Sequence, residues 1–138
     1  MDSKASYGWM HRVAIRASRY VVSGGFAAIA AYATGLVVRD AFLWNDAIAQ
    51  GIGFVVGTLV NYPISRQWVF VNRSRKVPLQ VGIFAAIGLM GLGVNEAALA
   101  LLVAQLHLPF ALASAGGLAS AFLWNFTMHN TVTFGWLR

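Results

Sequence analysis

The sequence predicts an all-α membrane protein: four transmembrane helices, built as two parallel-repeat helical hairpins with both termini on the cytoplasmic side. Three observations carry this. Of 138 residues, 59% are hydrophobic and 10% charged, and the mean hydropathy is +0.66, which leaves too little polar surface to coat a soluble domain. Four stretches are long enough to cross a hydrocarbon core, which takes about 20 apolar residues. Finally, Asn61-Tyr-Pro-Ile-Ser-Arg-Gln-Trp-Val-Phe70 closes one apolar stretch, and Asn125-Phe-Thr-Met-His-Asn-Thr-Val-Thr-Phe134 closes another at an offset of 64.

From the N-terminus, residues 1–19 form a basic cytoplasmic segment in which Arg12, Arg16 and Arg19 recur at helical spacing, as in a short interfacial amphipathic helix or a plain topology signal. Residues 20–134 form one four-helix domain, and 135–138 a cytoplasmic tail. The stretches 20–38, 47–65 and 109–128 contain no charge, and 77–106 contains only Glu96. In lipid each must be helical, because a helix pairs all its backbone groups internally. Pro63 removes a backbone donor and biases Tyr62 away from helix, so the second span is expected to kink or end there.

Charge sets the orientation. Lys4, Arg12, Arg16, Arg19, Arg66, Arg73, Arg75, Lys76 and Arg138 share one side, against Arg39 alone on the other, so the positive-inside rule puts both termini and the central loop in the cytoplasm. Trp9, Trp44, Trp68 and Trp136 fall at span edges, as an interfacial aromatic belt requires. The net charge of +6 lies next to apolar spans rather than on a folded basic surface, so anionic membrane lipid, not nucleic acid, is the expected partner. No cysteine is present, which removes disulfides and thiolate metal sites. A cleavable signal peptide is not expected, since the first apolar run is already of span length.

A further repeat, Phe26-Ala-Ala-Ile29 against Phe84-Ala-Ala-Ile87, has an offset of 58 and implies halves that differ by six residues. Both halves begin in the cytoplasm, so the repeat is parallel, about an axis near the membrane normal. Gly53-Phe-Val-Val-Gly57 and Gly117-Leu-Ala-Ser-Ala121 place small residues at helix-packing spacing, for contact within the monomer or a dimer seam.

Polar groups inside spans are costly in lipid and mark candidate sites. Glu96 is the one ionisable group deep in any span, next to Asn95; it is either a packing residue or a headgroup or proton-coupling carboxylate. Asn61 and Asn125 lie near the cytoplasmic ends of the second and fourth spans, where an amide bonds a neighbouring backbone or a sugar hydroxyl. His129 occupies the matching end of the second half, where a switchable charge is one reading.

The arrangement resembles the GtrA family of small four-span membrane proteins, related to accessory subunits of polyprenyl-phosphate sugar synthases. The resemblance runs from Arg19 to Phe134, on Arg19-Tyr-Val-Val-Ser-Gly-Gly25, the Asn61 to Phe70 motif with Arg66 and Trp68, Asn95, and Phe122-Leu-Trp-Asn-Phe126 with Trp124 and Asn125. Two departures stand out: many members carry an acid where this chain has Ala30-Ala31, and the closing motif has histidine in place of a basic-aromatic pattern.

The resemblance implies translocation of a polyprenyl-phosphate-linked sugar across the bacterial cytoplasmic membrane, for cell-surface polysaccharide or lipopolysaccharide modification. Arg19, Arg66, Arg73, Arg75 and Lys76 are the candidates for the lipid phosphate, and Asn61, Asn95, Glu96, Trp124, Asn125 and His129 for the headgroup pathway. The chain has no phosphate-binding Gly-x-x-x-x-Gly-Lys-Ser/Thr loop, so coupling is passive; no catalytic or metal site and no cofactor are expected, and the protein is not an enzyme. At 14.9 kDa it is expected to work as a homodimer or in a complex with a membrane glycosyltransferase. The alternative is a non-transporting anchor or accessory subunit of such an enzyme. A small proton-coupled exporter, the third class, typically relies on a carboxylate in the first span that is absent here.

Overall fold

Apolar runs too long for one another's loops fold as helices that pack on their small residues. The computed structural model describes residues 3–43 and 46–136, and among them every element is helical. The order is α1 (Ser3–Phe42), α2 (Asp46–Ile64), a π-helical turn (Ser65–Val69), α3 (Val77–Ala104), α4 (Phe110–Met128) and a second π-helical segment (His129–Trp136). Trp44, Asp2 and Arg138 lie outside the described residues.

Among the described residues, three stretches are long and apolar enough to cross a membrane: Tyr7–Phe42, Ile48–Val69 and Val77–Ala104. α4 has 19 residues and runs on into its π segment. The chain divides into two compact units, Met1–Arg73 and Ser74–Arg138, each an antiparallel pair of helices.

In the first unit α1 and α2 approach at glycines. A Cβ on Gly53 would stand 2.5 Å from the Ala31 carbonyl oxygen, and one on Gly57 would stand 3.1 Å from that of Ala27. The Gly53-Gly57 pair therefore serves contact within the unit, with backbones close enough that only hydrogen fits. In the second unit the same sites are filled differently: Asn95 lies against Gly117, and the Asn125 amide occupies the space left by Gly91.

These contacts define the repeat. Ala31 with Gly53 corresponds to Asn95 with Gly117, and the Tyr20–Phe70 ring pair to Phe84–Phe134, each with centroids 6.1 Å apart. The register is 64 throughout, so Tyr20, not Phe26, is the counterpart of Phe84. The Phe-Ala-Ala-Ile match at 58 is a coincidence of apolar composition, and Phe26 is in fact 59% exposed.

α1 is a single helix of 40 residues, about 60 Å long at 1.5 Å per residue. No break separates the basic segment from the span. Its first buried residue among those described is Tyr20, so the N-terminal part runs beyond the packed length of the pair.

As an α-helix α2 ends at Ile64, one residue past Pro63, where the expected break falls, but the chain stays helical. It passes through Pro63 and widens into the π turn, where the Phe70 N–H donates to the Ser65 carbonyl at 2.9 Å. Thr127 stands at the matching position of the second unit, and that unit also turns π one residue past Met128. Proline is thus not the common cause. Leu43, just after α1, and His107, three residues past α3, are left-handed, and Val71 takes the same conformation after the first π turn (φ 49°). There the Asn72 N–H reaches back to the Arg66 carbonyl at 2.8 Å, a helix-terminating pattern that satisfies an orphan acceptor. Pro78 in the first turn of α3 and Pro109 as the N-cap of α4 start helices where a missing N–H costs nothing.

Candidate functional site

In the first unit, polar side chains gather where α1 meets the end of α2. Asn61 Oδ1 accepts from Ser23 Oγ at 2.5 Å and from Ser65 Oγ at 3.0 Å, and the two hydroxyls are 3.2 Å apart. The side chains of Tyr20 and Asn61 are hydrogen-bonded as well. Ser23 and Ser65 have no exposed surface. Helical spacing explains the gathering: Asn61 and Ser65 are one turn apart on α2, and Tyr20 and Ser23 share a face of α1.

One turn before Ser23 stands Arg19. Its Nη1 donates to the Trp68 carbonyl at 3.2 Å, and its guanidinium lies 5.5 Å from the Trp68 ring centre, a cation–π geometry. Arg66, half-buried on the π turn, donates from Nε to the Asn72 carbonyl at 3.4 Å and is hydrogen-bonded to Tyr62. Of the five candidate phosphate ligands, Arg19 and Arg66 are therefore built into the first pair, on either side of one π turn. Arg73, Arg75 and Lys76 lie exposed on the connecting loop.

The second unit places Asn125 near the end of α4 and His129 at the start of its π segment, at the register of Asn61 and Ser65. His129 is 1% exposed. Its ring stacks on Phe84 with centroids 4.0 Å apart and planes 13° from parallel, and its Nδ1 lies 3.1 Å from Thr133 Oγ1. Gln80 Nε2 donates to the Thr133 carbonyl at 3.4 Å. Phe84, Thr133 and Phe134 thus surround a buried imidazole, and Gln80 holds the Thr133 backbone.

Two atoms of this unit are buried without a hydrogen-bond partner among the described residues: Asn125 Oδ1 and Trp124 Nε1. A buried acceptor and a buried donor left open are what a hydroxyl-bearing guest or water satisfies. Asn95 turns toward Gly117 and also donates from Nδ2 to Glu96 Oε1 at 3.2 Å, while Glu96 itself is exposed.

Sequence reasoning missed Tyr20, Ser23, Ser65, Gln80 and Thr133. The signal was present for two of them, since Ser65 and Thr133 each lie one turn beyond a polar residue already singled out, Asn61 and His129.

Paired apolar helices that bury hydroxyl and amide clusters, with guanidiniums set at one end, define a small helical membrane protein. Residues 19–134 match the family model described as GtrA/DPMS, transmembrane domain. The chain belongs to that family. Membership gives it a membrane role connected with polyprenyl-phosphate sugars. No solved structure matches the chain.

Proposed function

We propose that the chain moves a polyprenyl-phosphate-linked sugar from the cytoplasmic to the outer leaflet of the bacterial cytoplasmic membrane. The sugar then serves cell-surface polysaccharide or lipopolysaccharide modification. In this reading all four helices span, the two pairs are parallel repeats, and both termini are cytoplasmic. The observation that supports it most is the adjacency in the first unit, where Arg19 stands one helical turn from Ser23 and Arg66 directly follows Ser65 in the Ser23, Asn61 and Ser65 cluster. A lipid headgroup of this class has the same order, an anion and then hydroxyls. The open Asn125 and Trp124 atoms and the membrane-embedded Glu96 extend the polar inventory in the second unit. Transport is passive, drawn by consumption of the sugar, and the working form is a homodimer or a complex.

A second reading is favoured by α1. Its exposed Tyr7, Trp9 and Met10 on a helix beyond the packed pair offer a handle for a membrane glycosyltransferase, which the chain would anchor without transporting anything.

Liposomes carrying a labelled polyprenyl-phosphate sugar separate the two. Protein-dependent access of a membrane-impermeant reagent to the label, lost in Arg66→Ala or Asn61→Ala, supports transport. Unchanged access, with a glycosyltransferase that leaves the membrane when the chain is removed, supports the anchor.

A further inference from the structure

An amide buried between two apolar helices needs donors for its oxygen, and the first unit shows how this chain supplies them. Asn61 Oδ1 accepts from the Ser23 and Ser65 hydroxyls, and Tyr20 bonds the same side chain. At the register of 64 the second unit has Phe84 for Tyr20, Ile87 for Ser23 and His129 for Ser65. Every hydroxyl is gone. The imidazole in place of the last of them stacks on Phe84 and sets its Nδ1 beside Thr133 Oγ1.

Asn125 is nevertheless present, and the second pair is built to admit it. Gly91 stands where the first unit has Ala27, and a Cβ there would meet the Asn125 amide. The preceding residue, Trp124, stands at the register of Val60. Among the described residues, two buried side-chain polar atoms lack a hydrogen-bond partner, and they belong to these consecutive positions: the acceptor Asn125 Oδ1 and the donor Trp124 Nε1. The first unit has no such atom among its described residues.

The pairing needs of the two atoms define the guest. A hydroxyl both donates and accepts, so hydroxyl groups meet both needs. A phosphodiester only accepts; it can serve the indole but not the amide oxygen. No Lys or Arg occurs in residues 77–137, so the helices of this unit hold no cation to balance a phosphate. We propose that Trp124 and Asn125 form a subsite for the neutral hydroxyls of a glycosyl group, distinct from the groups that bind its phosphate. The inference rests on the lipid-carrier reading above and narrows it. Asn61, whose oxygen is already paired, orders the first unit, and Asn125 is the amide left to meet the guest. Both open atoms are covered in the packed pair, so the guest reaches them as α3 and α4 part at the level of Gly91.

The test uses the full chain in phosphatidylcholine nanodiscs with isotope-labelled tryptophan, where Trp124→Phe identifies the Trp124 indole resonance by its loss. The probes are glucosyl farnesyl phosphodiester, farnesyl phosphate and phosphatidylglycerol, whose hydroxyls sit on a glycerol instead of a sugar. The expected result is that the glucosyl compound moves the Trp124 resonance and slows exchange of its N–H with solvent, while the other two leave both unchanged. Asn125→Leu is expected to weaken glucosyl binding about tenfold relative to farnesyl phosphate, the loss of one buried hydrogen bond. Gly91→Ala, which drives a methyl into the amide, acts in the same direction, and Ser23→Ala in the first unit leaves the resonance and the affinity ratio unchanged. Should Asn125→Leu unfold the pair, Trp124→Phe carries the same comparison of affinities, with the ratio again falling. A resonance that no probe moves, as when a resident water pairs both atoms, overturns the subsite. So does one that farnesyl phosphate or phosphatidylglycerol moves as far as the glucosyl compound, or an affinity ratio unchanged in both variants. Sugar-dependent shifts without transport remove translocation and leave the subsite; transport without them does the reverse.

Discussion

The two helix pairs share one backbone plan and fill it with opposite chemistry. Each turns from α to π at the same register, each sets an aromatic of its first helix 6.1 Å from the closing Phe, and each has an Asn one turn before the π segment. In the first pair that Asn is fully engaged by Tyr20, Ser23 and Ser65. In the second its oxygen is left open while a histidine one turn on stacks against Phe84. The comparison teaches that the plan is held by ring and backbone packing, and that the polar groups are free to diverge because packing, more than hydrogen bonding, stabilises helices in lipid.

The largest break comes from the stack. His129→Ala leaves a ring-sized void against Phe84 and Phe134 and is expected to cost about 3 kcal/mol, measured by reversible unfolding in mixed micelles. His129→Phe keeps the stack and recovers most of that loss. Should His129→Ala cost no more than Ser65→Ala, ring packing does not hold the second pair.

Next come the glycines of closest approach. Gly53→Ala drives a Cβ onto the Ala31 carbonyl, and about 1–3 kcal/mol of overpacking is expected. Gly82 and Gly93 have open space, so the same substitution there is expected to be neutral or slightly stabilising. Equal effects at all three positions would mean that the α1 and α2 backbones are not in contact.

The smallest effect belongs to the hydroxyls. Ser23→Ala is expected to cost about 0.6 kcal/mol, the average for a side-chain hydrogen bond between membrane helices. Asn61→Ala costs more, since it strips the shared acceptor from both serines. A double-mutant cycle of Ser23→Ala with Asn61→Ala reads their coupling directly, and additive losses would dissolve the cluster into separate bonds.

How much of this was legible in the sequence depends on what kind of residue carried it. The helices were, because length and lack of charge suffice in lipid. So was the register of 64, from Asn61 with Asn125 and Phe70 with Phe134, since polar and terminal aromatic residues are rare enough to be informative. Phe26-Ala-Ala-Ile29 misled for the opposite reason: apolar strings are common in any span and say nothing of facing. The π segments left no mark, as Pro63 has no counterpart in the second unit. Arg19 and Arg66 were identified singly, but their common attachment to the Trp68 turn needed the fold. Glu96 stood out by charge, yet its direction, away from Asn95's contact with Gly117, cannot be read from neighbours in sequence.

The π segments have one more consequence. Each residue advances an α-helix by about 100°, and a π turn that closes the helix winds its last residues more widely, changing the direction in which they point. It works as a phase correction: Phe70 and Phe134 meet Tyr20 and Phe84 only because that correction is in place. Deleting a single residue between 65 and 69 would leave a shorter and more regular helix whose last side chains point a quarter-turn away from their partners.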